Sequence, residues 1–103
     1  MSRKLVYDFE WDITKALANV SKHGVTFDQA ATVFLDALAL TVYDKAHSQD
    51  EDRWFTLGQT ADGALLAVAH TFHEGEPASA RIRIVSARRA TPRERRYYED
   101  EPR

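Results

Sequence analysis

Two patterns of apolar positions follow one another in the N-terminal part of the chain. Residues 5–9 alternate apolar and polar side chains, which predicts a strand. Residues 13–22 predict an amphipathic helix, because apolar side chains recur on one face at helical spacing, namely Ile13, Ala16, Leu17 and Val20. Thr26 and Gln29 have the spacing of a capping box and predict a second short helix that stops near Asp36.

The rest of the chain predicts strands and then a final helix. Runs rich in apolar and β-branched residues cover 38–43, 53–59, 64–72 and 80–87. Asp62-Gly63 is a strong hairpin signal and residues 74–79 form a further turn, so consecutive runs should pair antiparallel. Thr91, Pro92 and Glu94 have the spacing that begins a helix, which we expect over about 92–100.

This order predicts an α+β fold, with two N-terminal helices, an antiparallel sheet meander and a C-terminal helix. Helices on one face of such a sheet leave the other face open, and we expect it to display Arg53, His70, Arg81 and Arg83. With 103 residues the chain can bury one core, so we expect a single domain over residues 1–103.

The location of the protein follows from what the sequence lacks. There is no cysteine, so disulfides and thiolate metal sites cannot contribute to stability. No apolar run approaches the roughly 20 residues that cross a bilayer, and acidic residues rather than an apolar signal segment follow the N-terminus. We therefore expect a cytoplasmic protein.

Positive charge is concentrated near the C-terminus. Residues 80–103 hold eight Arg and four acidic residues, about +4, whereas residues 1–79 hold six Lys or Arg and twelve acidic residues, about −6. The net charge of −2 argues against a protein that coats double-stranded DNA, which needs a broad basic face. A local phosphate site remains possible, because arginine stays charged and its donors match pairs of phosphate oxygens.

Arginines on the predicted strand 80–87 are the first candidates for such a site. Strict alternation would place Arg81 and Arg83 on one face and Ser86 and Arg88 on the other. All four share a face only if a β-bulge intervenes, and we predict one near residues 84–86. The alternative is that the arginines are solvated surface charges, which fits those on or beside the final helix best.

Histidines are candidates for proton transfer, because imidazole exchanges protons near neutral pH and arginine does not. His70 lies on the apolar face of a strand, so it either meets a ligand or is a core histidine bonded to a neighbouring strand. His23 ends a helix, where the negative helix terminus favours a cation. His47 and His73 lie in loops and are interpreted as ordinary surface residues. No histidine spacing is typical of a metal site, so no metal or other cofactor is expected.

Several segments together resemble the BrnT-type toxins of bacterial type II toxin–antitoxin systems, over nearly the whole chain. The most specific are Phe9-Glu10-Trp11-Asp12, Lys22-His23-Gly24-Val25 and Arg83-Ile84-Val85-Ser86-Ala87-Arg88. The resemblance implies a RelE-like fold and an endoribonuclease that cleaves messenger RNA and arrests translation. It also implies a BrnA-type ribbon-helix-helix antitoxin as partner. The toxin would contact operator DNA only through this antitoxin. The sequence departs from the family at Ala37, where many relatives have proline, and in the longer turn at 74–79.

Metal-free RNA cleavage needs a base for the 2′-hydroxyl, cations for the charge on phosphorus and an acid for the leaving oxygen. We assign proton transfer to His70 or His23. Arg53, Arg83 and Arg88 would stabilise the phosphate, and Ser86 would orient an oxygen. Substrate binding is assigned to Lys22, Arg81 and Tyr97, the last by base stacking. The alternative is a non-catalytic binding module whose basic strand and helix dock an acidic protein partner.

Overall fold

The computed structural model describes residues 6–75 and 79–102, and over these residues it confirms the α+β fold. The helices are α1 (Ile13–His23), α2 (Phe27–Ala31) and α3 (Pro92–Asp100), and short 3₁₀ turns cover Thr32–Leu35 and Lys45–His47. The strands are β1 (Val6–Glu10), β2 (Leu40–Tyr43), β3 (Trp54–Gln59), β4 (Leu65–Gly75) and β5 (Ser79–Arg89). Of the predicted elements, residue 5 of the first strand and residues 76–78 of the 74–79 turn lie outside the described residues.

The described strands form one sheet in the order β1-β5-β4-β3-β2. Strands β2 to β5 are the predicted antiparallel meander. Strand β1 pairs parallel with β5 at the edge, so the sheet is mixed rather than purely antiparallel. The turn at residues 60–63 connects β3 directly to its antiparallel neighbour β4, and Gly63 in this turn has φ 94°.

The predicted β-bulge is present in β5. Ile84 pairs with His70 and Ser86 pairs with Ala69, so Val85 is the extra residue opposite this step. Because of this extra residue, Ser86 and Arg88, which follow the bulge in the sequence, lie on the same face as Arg81 and Arg83, which precede it. The prediction that these four side chains share one face is therefore confirmed.

The main core lies between one face of the sheet and the α1–α2 region. Buried apolar side chains from α2, the following 3₁₀ turn and strands β4 and β5 form it, namely Phe27, Ala30, Val33, Leu66, Val68, Ile82, Ile84 and Ala87. We call the opposite sheet face the open face. Helix α3 packs at one end of the open face, where Tyr98 contacts Leu57, Leu65 and Ala67. The expectation that the helices leave the open face free is therefore wrong for α3, which covers one end of it.

Helix α1 does not bury the apolar stripe that its sequence pattern suggests. Ile13 is 69% exposed, Leu17 65% and Val20 43%, whereas the polar Asn19 is buried. Asn19 faces the sheet because its amide pairs with backbone groups of β5, as described below. The helix is therefore rotated, so that Ile13, Leu17 and Val20 face solvent while Ala16 packs against the edge of the core. Among the described residues, no helix is long and apolar enough to cross a membrane.

Candidate functional site

A hollow on the open face brings together cationic and proton-transferring side chains from three parts of the chain. Its volume is about 440 Å³. The end of α1, the loop between β2 and β3 and the bulged part of β5 line it, and β3 and β4 each add one apolar side chain. The lining residues are Lys22, His23, Asp44, His47, Arg53, Phe55, Ala69, Val85, Ser86 and Arg88. We call it the cationic hollow. Five residues singled out from the sequence meet there: Lys22, His23, Arg53, Ser86 and Arg88.

Asn19 fixes the position of the α1 end beside the bulge. Its side-chain nitrogen donates to the carbonyl oxygens of Val25 at 2.9 Å and Ala87 at 2.8 Å, and its oxygen accepts from the Ala87 nitrogen at 3.0 Å. Gly24 then ends the helix at φ 67°, which glycine adopts without a Cβ penalty. Lys22 and His23 are thereby held next to Ser86 and Arg88.

Arg88 is oriented by the first turn of α3. Its guanidinium donates to both oxygens of Glu94, at 2.7 and 3.0 Å. Glu94 also accepts from the Thr91 nitrogen at 2.9 Å as part of the predicted capping box. The hydrogen bonds that Arg88 donates to Glu94 raise the pKa of Arg88 and hold the pKa of Glu94 below its ordinary value. A third guanidinium N–H donates to the Arg89 carbonyl at 3.4 Å, so two of the five donors remain for a ligand.

Arg83 lines a second hollow that adjoins the first. This second hollow has a volume of about 670 Å³ and shares His47 and Arg53 with the cationic hollow. Arg83 is ion-paired with Glu51 of the β2–β3 loop. Arg53 has no side-chain hydrogen bond or ion pair within the described parts of the chain, and it stands between the two hollows. It is the arginine of the cationic hollow that a phosphate could reach without displacing a carboxylate from the described residues.

Three residues assigned to the site from the sequence lie elsewhere. The expectation that the open face displays His70 is wrong, because the register puts His70 on the core face, where it is 1% exposed. Its Nε2 bonds the Thr56 hydroxyl at 2.7 Å, its Nδ1 donates to the Thr71 carbonyl at 3.0 Å, and burial lowers its pKa. The alternative, a core histidine bonded to a neighbouring strand, describes it correctly.

The other two residues are Tyr97 and Arg81. Tyr97 lies on α3 in a separate hollow with Leu57 and Arg96, so a base stacked on it would not sit in the cationic hollow. Arg81 is exposed on the open face opposite His73, but it lines neither of the two hollows. It can only attract a ligand from a distance.

Sequence reasoning missed one histidine of the site. His47 was interpreted as an ordinary surface residue, yet its ring lines both hollows and its Nδ1 lies 2.9 Å from an Asp44 carboxylate oxygen. The signal available in the sequence was an acidic residue three positions before a histidine in a polar loop. Among the described residues, no group of three or more His, Asp or Glu side chains is placed to hold a metal ion.

Comparisons with known proteins agree with this fold. A family model described as "Ribonuclease toxin, BrnT, of type II toxin-antitoxin system" matches residues 11–94, which include every residue that lines the cationic hollow. The crystal structure of the Brucella abortus ribonuclease toxin BrnT matches with a TM-score of 0.59 and 22% sequence identity, over 84% of this chain and 97% of that chain. At this identity the likeness supports the fold alone. A comparison with curated proteins gave no match.

Proposed function

Because the chain belongs to the BrnT family of ribonuclease toxins of type II toxin–antitoxin systems, we propose that it is a metal-independent endoribonuclease that cleaves messenger RNA and arrests translation. The cationic hollow is the observation that carries this proposal. It gathers guanidinium, ammonium, imidazole and hydroxyl groups from α1, the β2–β3 loop and β5 in one hollow. Metal-free cleavage needs these groups to move two protons and to stabilise the charge that develops on phosphorus.

The geometry supports a separate role for each group. Arg53 and Arg88 would hold the scissile phosphate, while Ser86 on the bulge would orient one of its oxygens. Arg83 would bind a neighbouring phosphate in the second hollow once Glu51 is displaced. His23 would carry a proton, and Lys22 together with the exposed Arg81 would attract the RNA strand.

RNA cleavage in excess chelator tests the proposal directly. Purified protein is incubated with a messenger RNA in EDTA, and the RNA is then resolved on a denaturing gel. We expect fragments, because every catalytic group named above belongs to the protein. Intact RNA in EDTA that is cut when Mg²⁺ is restored would refute metal independence. RNA that stays intact under both conditions would refute the nuclease.

An arginine pair provides the matched test of the site. Arg53→Ala removes the arginine of the hollow that has no ion pair among the described residues, and we expect cleavage to slow by about 10²–10³-fold. Arg96→Ala removes the same charge from α3, on the side of the separate hollow, and should leave the rate within about two-fold. Equal rates for the two variants would show that the cationic hollow is not where RNA is cut.

Membership of a type II toxin family implies an antitoxin partner. We propose that this partner is a BrnA-type ribbon-helix-helix protein, which alone contacts operator DNA. Acidic groups would cover the cationic hollow, and apolar groups would cover the exposed stripe of Ile13, Leu17 and Val20, which runs along α1 towards Lys22. Co-expression with the protein encoded next to this gene should give a stable complex, and Leu17→Ser should weaken it without slowing RNA cleavage.

A non-catalytic binding module is the second candidate function. Glu51 and Glu94 already pair with Arg83 and Arg88, which shows that the basic face accepts carboxylates. In that case an acidic protein would bind this face and RNA would stay intact. The cleavage assay separates the two functions, because a docking face leaves no fragments.

A further inference from the structure

His47 and Asp44 form a histidine–carboxylate pair at the rim of the cationic hollow. The Nδ1 atom of His47 lies 2.9 Å from Oδ2 of Asp44. The Asp44 side chain is 9% exposed and that of His47 is 68% exposed, so the carboxylate lies beneath an accessible ring. The other ring nitrogen, Nε2, has no hydrogen bond within the described residues. A carboxylate that accepts from Nδ1–H fixes the tautomer in which Nε2 is free to accept a proton.

The turn that carries the pair is closed by its own hydrogen bonds. The Asp44 nitrogen donates to the Arg53 carbonyl at 2.8 Å, and the Ser48 hydroxyl donates to the Asp44 carbonyl at 2.6 Å. The Arg53 nitrogen in turn donates to the Ser48 hydroxyl oxygen at 2.9 Å. The imidazole is therefore held beside the unpaired Arg53 guanidinium and does not swing on an open loop.

Charged groups reach His47 from its own loop and from two other elements that line the hollows. Its loop supplies Asp44, Asp50, Glu51 and Arg53. Strand β5 supplies Arg83 and Arg88, and the end of α1 supplies Lys22 and His23. A phosphate bound by Arg53 and Arg88 would thus lie in the same hollow as His47 and His23.

We propose that His47 is the general base of this site and that Asp44 is its positioning residue. This inference rests on the proposed ribonuclease function and names the group that starts the reaction. His47 Nε2 takes the proton from the 2′-hydroxyl, and the 2′-oxygen forms a bond to phosphorus. The bond from phosphorus to the 5′-oxygen breaks, and that oxygen takes a proton from His23. The products are a 2′,3′-cyclic phosphate and a 5′-hydroxyl, and Asp44 stabilises the imidazolium formed on His47.

The competing explanation is that the pair only stabilises the turn. The two explanations differ in what a substitution does to kcat. His47→Gln keeps a side chain of similar reach but removes the base, so kcat should fall by about 10²–10⁴-fold while KM changes little. Asp44→Asn presents an amide to the ring and disfavours the required tautomer, so kcat should also fall. A role confined to the turn would leave kcat unchanged wherever the variant is folded.

The experiment measures kcat and KM for cleavage of an RNA oligonucleotide between pH 5 and 9, with thermal unfolding of each variant as the check on folding. His73→Gln is the matched control, since His73 is a similarly exposed histidine, 65% exposed, that lines neither hollow. Binding of a 2′-O-methyl oligonucleotide, which cannot be cleaved, is measured in parallel. We expect His47→Gln to bind it like the wild type and to lose the acidic limb of the kcat profile.

Each other outcome overturns the inference in a distinguishable way. If the wild type cleaves RNA and His47→Gln keeps the same kcat and pH profile, His47 is not the base, although the ribonuclease function stands. If Asp44→Asn is folded and fully active, Asp44 does not position the ring. If the wild type binds the 2′-O-methyl oligonucleotide and cleaves no RNA, the ribonuclease function fails and the role of His47 fails with it.

Discussion

Replacing Asn19 by alanine should cost this protein a large part of its stability, because one buried amide connects α1 to the bulged strand. Asn19 is 6% exposed and Ala87 is 0% exposed, so water cannot replace the lost partners easily. Asn19→Ala removes three hydrogen bonds and leaves the Ala87 N–H and two carbonyl groups unsatisfied. At about 1 kcal/mol for each bond, and more for a group left buried and unpaired, the loss is roughly 3–5 kcal/mol. Domains of this size are stable by about 5–15 kcal/mol, so the effect is measurable.

Urea denaturation followed by tryptophan fluorescence is the assay. Ser21→Ala, at an exposed position of the same helix, is the control and should change the free energy of unfolding by less than about 0.5 kcal/mol. Asn19→Asp keeps the oxygen that accepts from Ala87 but turns an acceptor towards the carbonyls of Val25 and Ala87, so it should be destabilised as well. A loss below about 1 kcal/mol for Asn19→Ala would refute the view that this amide holds α1 on the sheet.

Three further predictions concern charge and packing. Glu94→Gln should lower the free energy of unfolding by about 0.5–1 kcal/mol at neutral pH, since the pair with Arg88 is partly exposed. The difference should vanish in urea titrations as the pH falls through the lowered pKa of Glu94, because the native carboxylate is then protonated. Gly58→Ala should cost about 1–3 kcal/mol by the same assay, since the added Cβ would lie 3.0 Å from both Cβ and the carbonyl oxygen of Val33. His70 has a lowered pKa when folded, so below about pH 6.5 the unfolded chain binds a proton that the folded chain does not. Below pH 6.5 the free energy of unfolding should therefore fall by up to about 1.4 kcal/mol per pH unit. His70→Gln should lose less stability than the wild type when unfolding at pH 7.5 is compared with unfolding at pH 5.5.

The sequence predicts the elements well wherever the signal is local. Thr91 and Glu94 begin α3 as a capping box, and Gly63 takes the positive φ of the β3–β4 turn. The bulge could also be predicted, because the polar positions Arg83 and Ser86 are three residues apart and share a face only if one residue is extra. Each of these features depends on a few neighbouring residues, which the sequence displays directly.

The sequence does not predict which of two faces meets the core. Strand β4 is apolar at every position from Leu65 to Ala69, so its sequence does not decide whether His70 faces the core or the solvent; in the structure His70 faces the core and bonds Thr56 on the next strand. Helix α1 shows the same limit, since its apolar stripe suggested burial and the amide of Asn19 overrides it. His47 was missed because its partners on the hollow, such as Arg88, are distant in the chain.

The two arginine ion pairs of the open face differ in what holds their carboxylates. Glu94 is fixed twice, by the bidentate contact with Arg88 and by the capping box with Thr91, so releasing it would also uncap α3. Glu51 lies in the β2–β3 loop. Its carboxylate is ion-paired with Arg83 and lies 3.9 Å from Nε2 of His73. A phosphate can therefore displace Glu51 at lower cost than Glu94. On the proposed ribonuclease function, Arg88 would act in an orientation that Glu94 sets before RNA arrives, whereas Arg83 would exchange the Glu51 carboxylate for a phosphate. The loop that carries Glu51 also carries His47.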